Sequence, residues 1–188
     1  MKNLLSVLNS IHPISPALKQ FLTDKLITRN IPRKEYLLQA GQVSRHVYFN
    51  KKGLLRSYYI DSGHEISSRF MKEGDMMVSG TSFFQQKEGA EFIQAIEDTT
   101  VFSICYDELQ FAYRHFPELN IIGRILITKS YLLSEQRLHF IRMKQAKDRY
   151  KNMMTFFPDL ILRVPAKYMA SYLSVSEETL SRIRSMKY

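Results

Sequence analysis

The sequence changes its hydrophobic pattern sharply near Ile104, and this change limits the folds open to it. Between Asn30 and Ile104, short segments rich in Val, Ile, Tyr and Phe are separated by turn residues, which recur about every ten residues. This spacing predicts the strands of a sandwich or barrel. Beyond Ile104 the apolar residues follow helical spacing to the end of the chain. We therefore expect an α+β fold in which a β-module precedes a helical C-terminal part.

Local signals refine this expectation at two places. Ser15 is a natural N-cap with Pro16 at the first helical position, which predicts a short helix ahead of the β-module. Within the module, residues 54–60 and 65–70 flank a turn at Asp61–His64 and predict a hairpin.

A long helix is predicted from Pro117 to about Met143, and it carries two apolar stripes. A helix with one buried face needs only one stripe. The second stripe is explained either by a symmetric helix pair between two subunits or by burial of both stripes in the core. One stripe consists of Leu119, Ile122, Leu126, Leu133 and Phe140, and the other of Ile121, Ile125, Leu132 and Leu138.

The last two predicted helices have the spacing of a helix-turn-helix. Ala170 is the small residue required where the helices meet, and Val175 is the apolar residue after the turn. Leu180 and Ile183 then form the buried face of the second helix. An ordinary αα-hairpin would show the same spacing. Ser174 stands in the turn, where such motifs prefer Gly.

The positive charge is concentrated in the same region. The chain has 27 Lys and Arg against 18 Asp and Glu, a net charge of +9, and ten basic but four acidic residues lie beyond Phe140. This excess favours a polyanionic partner, double-stranded DNA. In a docked second helix the exposed N-terminal residues face the base edges. Arg182 and Glu178 are expected to read the bases, and Lys167, Arg184 and Lys187 are expected to bind phosphates. The full set of expected DNA contacts is Ser176, Glu177, Glu178, Ser181, Arg182, Arg184, Lys167 and Lys187.

Several segments resemble the Crp/Fnr family of transcription regulators, and the resemblance covers nearly the whole chain. The most specific segment is Val175–Arg182. The resemblance implies a jelly-roll domain of the cyclic-nucleotide-binding type (a β-roll), a dimerisation helix and a C-terminal helix-turn-helix domain. The other carriers are Leu37–Gln42, Val47–Gly53, Gly63–Glu65, Gly74-Asp75 and the segment that begins at Val164.

The sequence departs from this family where nucleotide-binding members hold the cyclic phosphate. Those members have a Gly-Glu pair after the Gly-Asp turn and a later Arg that pairs with the phosphate, and both are missing here. A buried phosphate without a cation would be poorly compensated, so we expect no cyclic AMP binding in the usual mode. Six residues follow Arg182, too few for the usual β-hairpin wing. If an effector binds, we expect it near Arg69, Met76, Val78, Ser79, Gly80 and Thr81.

Other chemistries are disfavoured. A single Cys and five scattered His residues give no iron–sulfur, haem or structural-metal ligand set. Without an HxH pair, an enzyme of the cupin type is also disfavoured. No apolar run reaches the roughly 18 to 20 residues of a membrane span. We expect a non-enzymatic, cytoplasmic protein without metal, cofactor or membrane attachment.

These observations predict a homodimeric, DNA-binding transcription regulator whose β-roll senses an unidentified small molecule or none. The expected units are a β-roll over 1–116, a dimerisation helix over 117–143 and a helix-turn-helix domain over 144–188. The alternative is a ligand sensor or adaptor of the same fold that does not bind specific DNA sequences.

Overall fold

In the computed structural model, residues 2–185 are described, and the chain begins with two helices. Helix α1 spans Lys2–Ile11 and α2 spans Pro16–Lys25. The predicted cap of α2 is confirmed, because the Ser15 hydroxyl accepts a hydrogen bond from the Leu18 amide at 3.1 Å. Helix α1 was not predicted. Its Leu5 and Leu8 are buried against the core.

Eight strands form the predicted β-module as two four-stranded antiparallel sheets. The strand orders are β1-β8-β3-β6 and β2-β7-β4-β5, and a short helix, α3, follows β6. The predicted hairpin is β4 with β5, in which Leu55 pairs with Met71 and Asp61 with His64. The elements are β1 (Ile27–Ile31), β2 (Tyr36–Leu38), β3 (His46–Lys52), β4 (Leu55–Asp61), β5 (His64–Met71), β6 (Met76–Met77), α3 (Gly80–Gln85), β7 (Phe92–Ala95) and β8 (Thr99–Cys105).

The turn between β3 and β4 requires glycine. Gly53 has a φ of +90°, and a Cβ at this position would lie 2.5 Å from the Asp98 carbonyl oxygen. Both the dihedral angle and the close approach exclude a side chain here. The turn therefore lies directly against Asp98 and Thr99, at the start of β8.

The rest of the chain is helical, as predicted. Helix α5 begins at Pro117 and ends at Arg142, within one residue of the expected limits. Pro158 begins a short helix, α7, which was not predicted. The helices are α4 (Tyr106–His115), α5 (Pro117–Arg142), α6 (Ala146–Phe156), α7 (Pro158–Arg163), α8 (Ala166–Tyr172) and α9 (Glu177–Ser185). Among the described residues, no helix is long and apolar enough to cross a bilayer.

The C-terminal helices share a core with the β-roll. Leu54 and Ile96 belong to the roll, yet they are buried in the cluster that contains Met169, Leu180 and Ile183 of the last helices. Burial of apolar surface stabilises such contacts by about 25 cal/mol per Å². The C-terminal helices are therefore packed against the roll.

Hydrogen bonds and ion pairs reinforce this contact. The Ser171 hydroxyl of α8 donates to the Glu65 carbonyl oxygen at 2.7 Å and accepts from the Ser67 amide of β5 at 2.9 Å. Arg163, at the end of α7, donates to both Glu73 and Glu97 of the roll at 2.6–2.9 Å. The Arg163 hydrogen bonds lower the pKa of Glu73 to about 2.

A buried arginine lies at the centre of the same contact. Arg56 of β4 is 1% exposed, and its guanidinium lies between the rings of Tyr58 and Tyr168, at 4.0 and 3.6 Å from the centroids. It donates to Gln94 at 2.9 Å and pairs with Glu65 at 2.8 Å. Because Tyr168 belongs to α8, one charged side chain of the roll supports the helix-turn-helix directly.

Candidate nucleic-acid interface and ligand site

Helices α8 and α9 form the helix-turn-helix that the sequence predicts. Ala170 is buried where the helices meet, and its carbonyl oxygen accepts from the Val175 amide at 3.0 Å. Ser174 adopts a φ of +54°, which explains why glycine is preferred at this turn. The Ser176 hydroxyl accepts from the Thr179 amide at 3.2 Å and so caps the start of α9.

Helix α9 exposes a polar face. Its Leu180 and Ile183 are buried, whereas the Arg182 side chain is exposed. The Ser176 hydroxyl lowers the pKa of Glu178, so this carboxylate is charged at neutral pH. Lys187 lies outside the described residues. The other residues predicted for DNA contact are all exposed: Lys167, Ser176, Glu177, Glu178, Ser181, Arg182 and Arg184.

Two basic residues of the C-terminal excess have structural roles that the sequence did not reveal. Arg149 donates from Nε to the Leu173 carbonyl oxygen at 2.8 Å and from Nη2 to that of Ser174, which holds the end of α8. Arg163 is paired with the roll, as described above. Neither side chain is free for DNA, so the charge excess overstates the cationic surface.

The region expected to bind an effector contains an internal ion pair. Arg69 of β5 donates to the Val78 carbonyl oxygen at 2.7 Å and lies 3.5 Å from Glu91. The hydroxyls of Ser57 and Ser68 contact the same carboxylate. Arg69, the cation expected to be nearest an effector, is therefore already paired with the carboxylate of Glu91.

The six residues predicted for the effector are only partly brought together. Arg69 and Met76 line one cavity of about 210 Å³, and Met76 also lines a second cavity of about 60 Å³ together with Val78. Neither cavity is lined by Ser79, Gly80 or Thr81, which lie at the start of α3. Among the described residues, no group of three or more His, Cys, Asp or Glu side chains could hold a metal ion.

Comparison with known proteins identifies the domain and the fold. Residues 28–115 match the family model of the cyclic nucleotide-binding domain. Comparison with curated proteins finds no match. A putative Crp/Fnr-family transcriptional regulator from Eubacterium rectale superimposes with a TM-score of 0.72 at 17% identity, covering 90% of this chain and 82% of that one.

Two further solved structures show the same arrangement. The c-di-GMP-responsive global regulator CLP of Xanthomonas campestris gives a TM-score of 0.70 at 15% identity, with 90% of this chain and 89% of that chain covered. A cyclic nucleotide-binding domain containing protein from Listeria monocytogenes gives 0.68 at 14% identity, with 96% and 87% covered. Residues 28–115 therefore form a cyclic nucleotide-binding-type domain. The chain as a whole has the Crp/Fnr regulator fold, so the resemblance inferred from its motifs is confirmed.

We expect cyclic AMP to produce no saturable heat in isothermal titration calorimetry with the native protein. Glu91 would repel a phosphate, and the residues before it, Gly89 and Ala90, supply no cation. The comparison variant is Glu91→Gln, in which Arg69 loses its carboxylate partner. Binding that appears only in this variant would identify Glu91 as the excluding group. Micromolar binding by the native protein would contradict the prediction.

Proposed function

We propose that the protein is a homodimeric transcription regulator of the Crp/Fnr type that binds double-stranded DNA through α9. The main support is that α9 has one buried apolar face and one exposed polar face. Leu180 and Ile183 anchor α9 in a core, while the polar residues of its first two turns remain exposed. A recognition helix needs this division, because one face must be held rigidly while the other enters the major groove.

The chemistry of the exposed residues assigns their roles in this proposal. In the proposed complex, Arg182 donates to N7 and O6 of guanine, and Glu178 accepts from N4 of cytosine. Lys167 and Arg184 contact phosphates, as would Lys187, with the remaining polar contacts supplied by Ser176, Glu177 and Ser181. The Arg184 guanidinium lies 6.0 Å from the centre of the Tyr150 ring, so it must turn outwards to reach a phosphate.

The exposed side of α5 supports the homodimer. Leu132 is 59% exposed and Tyr131 60%, although both are large and apolar or aromatic. Ile125, Leu132 and Leu133 also line a shallow groove along this helix. A second copy of α5 would cover these side chains, and it would set two α9 helices about 34 Å apart, one DNA turn.

In the proposed assembly, the units are the β-roll over 1–116, the dimerisation helix over 117–143 and the DNA-binding domain over 144–188. Its cellular setting is the cytoplasm. The contact between α8 and β5 favours one alternative, a sensor or adaptor in which the helix-turn-helix stays on the roll.

In vitro site selection followed by fluorescence anisotropy tests the proposal. We expect enrichment of a palindromic sequence, and we expect Arg182→Ala to weaken binding to it by about 1–3 kcal/mol, with relaxed preference at one base pair. Lys167→Ala should weaken binding equally for all sequences and reduce the salt dependence. Lys19→Ala, an exposed change on α2, is the control. Absence of enrichment, with Arg182→Ala unchanged, would favour the sensor or adaptor.

A further inference from the structure

The cavity of about 210 Å³ lies where the roll, α5 and the C-terminal helices meet. Its walls include Phe49 and Met76 from the roll, Leu133 and Phe140 from α5, and Tyr172 from α8. An apolar cavity of about 150 Å³ is large enough for benzene. This cavity can therefore accept an aromatic ring or a short hydrocarbon chain together with a small polar group.

The cationic side chains around the cavity each act on a carboxylate, with one exception. Arg69 is paired with Glu91, and Lys72 with Asp159 at 2.6 Å. Asp75 also lines the cavity, and Lys129 and Lys72 are the cations that act on its carboxylate. Arg69 and Lys72 are therefore in ion pairs, whereas the exposed Lys129 acts on the Asp75 carboxylate only at longer range.

The exception is Arg137 of α5. Its Nη2 donates to the Ser67 carbonyl oxygen at 3.0 Å, and its guanidinium lies 4.3 Å from the centre of the Tyr172 ring. Its Nε is buried without a hydrogen-bond partner. Among residues 2–185, no carboxylate lies within ion-pair distance of this side chain.

A guanidinium in this position is incompletely compensated. Transfer of a charge from water into a protein costs free energy unless an opposite charge or hydrogen bonds replace the lost hydration. Burial lowers the pKa of Arg137, and the Tyr172 side chain offsets this only in part, while the positive charge of Arg69 acts in the same direction as burial. A carboxylate is the group that best restores the balance, because it accepts two parallel N–H bonds from a guanidinium.

We propose that this cavity binds a small amphipathic monocarboxylate, with the carboxylate on Arg137 and the ring or chain among Phe49, Leu133 and Phe140. The site shares Arg69 and Met76 with the region expected to bind an effector, but Ser57, Ser68 and Glu91 do not line it. The proposal does not depend on DNA binding. A ligand here would contact the roll, α5 and α8 at once.

Isothermal titration calorimetry of the full chain with phenylpropionate and phenylpropanol tests the site, because the two probes share a skeleton and differ in charge. We expect phenylpropionate to bind at least tenfold more tightly. Arg137→Met should abolish this difference, and the matched control Arg142→Met, an exposed change on the same helix, should preserve it. A second variant, Ser130→Phe, should fill the cavity and weaken both probes while Arg137 stays in place.

Circular dichroism establishes that each variant is folded before titration. Equal affinities for the two probes would overturn the proposal, as would the absence of binding up to millimolar concentrations. A charge preference that persists in Arg137→Met would also overturn it. None of these outcomes bears on DNA binding, which site selection measures separately.

Discussion

Replacing Arg56 with alanine is expected to lower the free energy of unfolding by about 3–5 kcal/mol. The change removes a buried guanidinium and leaves Glu65 without its ion-pair partner. It also leaves a gap between the rings of Tyr58 and Tyr168, which now contact the two faces of the guanidinium. For a chain of this size, thermal unfolding followed by circular dichroism should show a midpoint about 10 °C lower.

The exposed residue Arg45 provides the control, since its replacement by alanine removes the same charge without opening a cavity. Arg45→Ala should shift the midpoint by no more than about 2 °C. If Arg56→Ala shifts it equally little, the buried guanidinium does not stabilise the contact between the roll and α8. Arg56→Lys should also destabilise, because an ammonium group cannot stack its plane on two rings.

Replacing Leu132 with aspartate is expected to convert the protein into a monomer. In the proposed symmetric pairing of α5, the change places two carboxylates in an apolar contact, where they are desolvated and repel each other. Sedimentation at micromolar concentration should give the mass of one chain. Affinity for a palindromic site should fall by about a hundredfold or more, because two half-sites are no longer bound by one linked molecule.

A matched control exists on another helix. Leu162 of α7 is 90% exposed, so Leu162→Asp adds the same charge at a surface outside α5. This variant should keep the native mass. The dimer proposal fails if the native protein sediments as a monomer, or if Leu132→Asp retains the mass of a dimer.

The elements that the sequence predicted are those whose causes are local. Gly41, Gly53, Gly63 and Gly74 all adopt positive φ between strands, and glycine adopts this conformation more readily than any other residue. The caps at Ser15 and Ser176 depend on residues three positions away. Short-range chemistry of this kind is visible in a single sequence, so the hairpin of β4 with β5 and the helix-turn-helix could be predicted.

The unpredicted features depend on residues that are distant in the chain. Arg163 donates a hydrogen bond to Glu73, which is 90 residues away in the sequence, and Arg137 donates one to Ser67, which is 70 residues away. No periodicity reveals such partners. The sequence therefore predicted Arg163 as part of a cationic surface, although it is an internal ion-pair residue. Arg69 was expected to serve an effector, and its pairing with Glu91 depends on the arrangement of β5 and β7 in the folded roll.

The shared core has a consequence for the modularity of this protein. Leu54 and Ile96 are covered by the C-terminal helices, so the roll would expose both if it were joined to a foreign helix-turn-helix. The surface that meets α8 must therefore change together with α8 when sequences diverge. Recombination that exchanges whole domains between regulators is unfavourable at this junction, and the two units are expected to be inherited together.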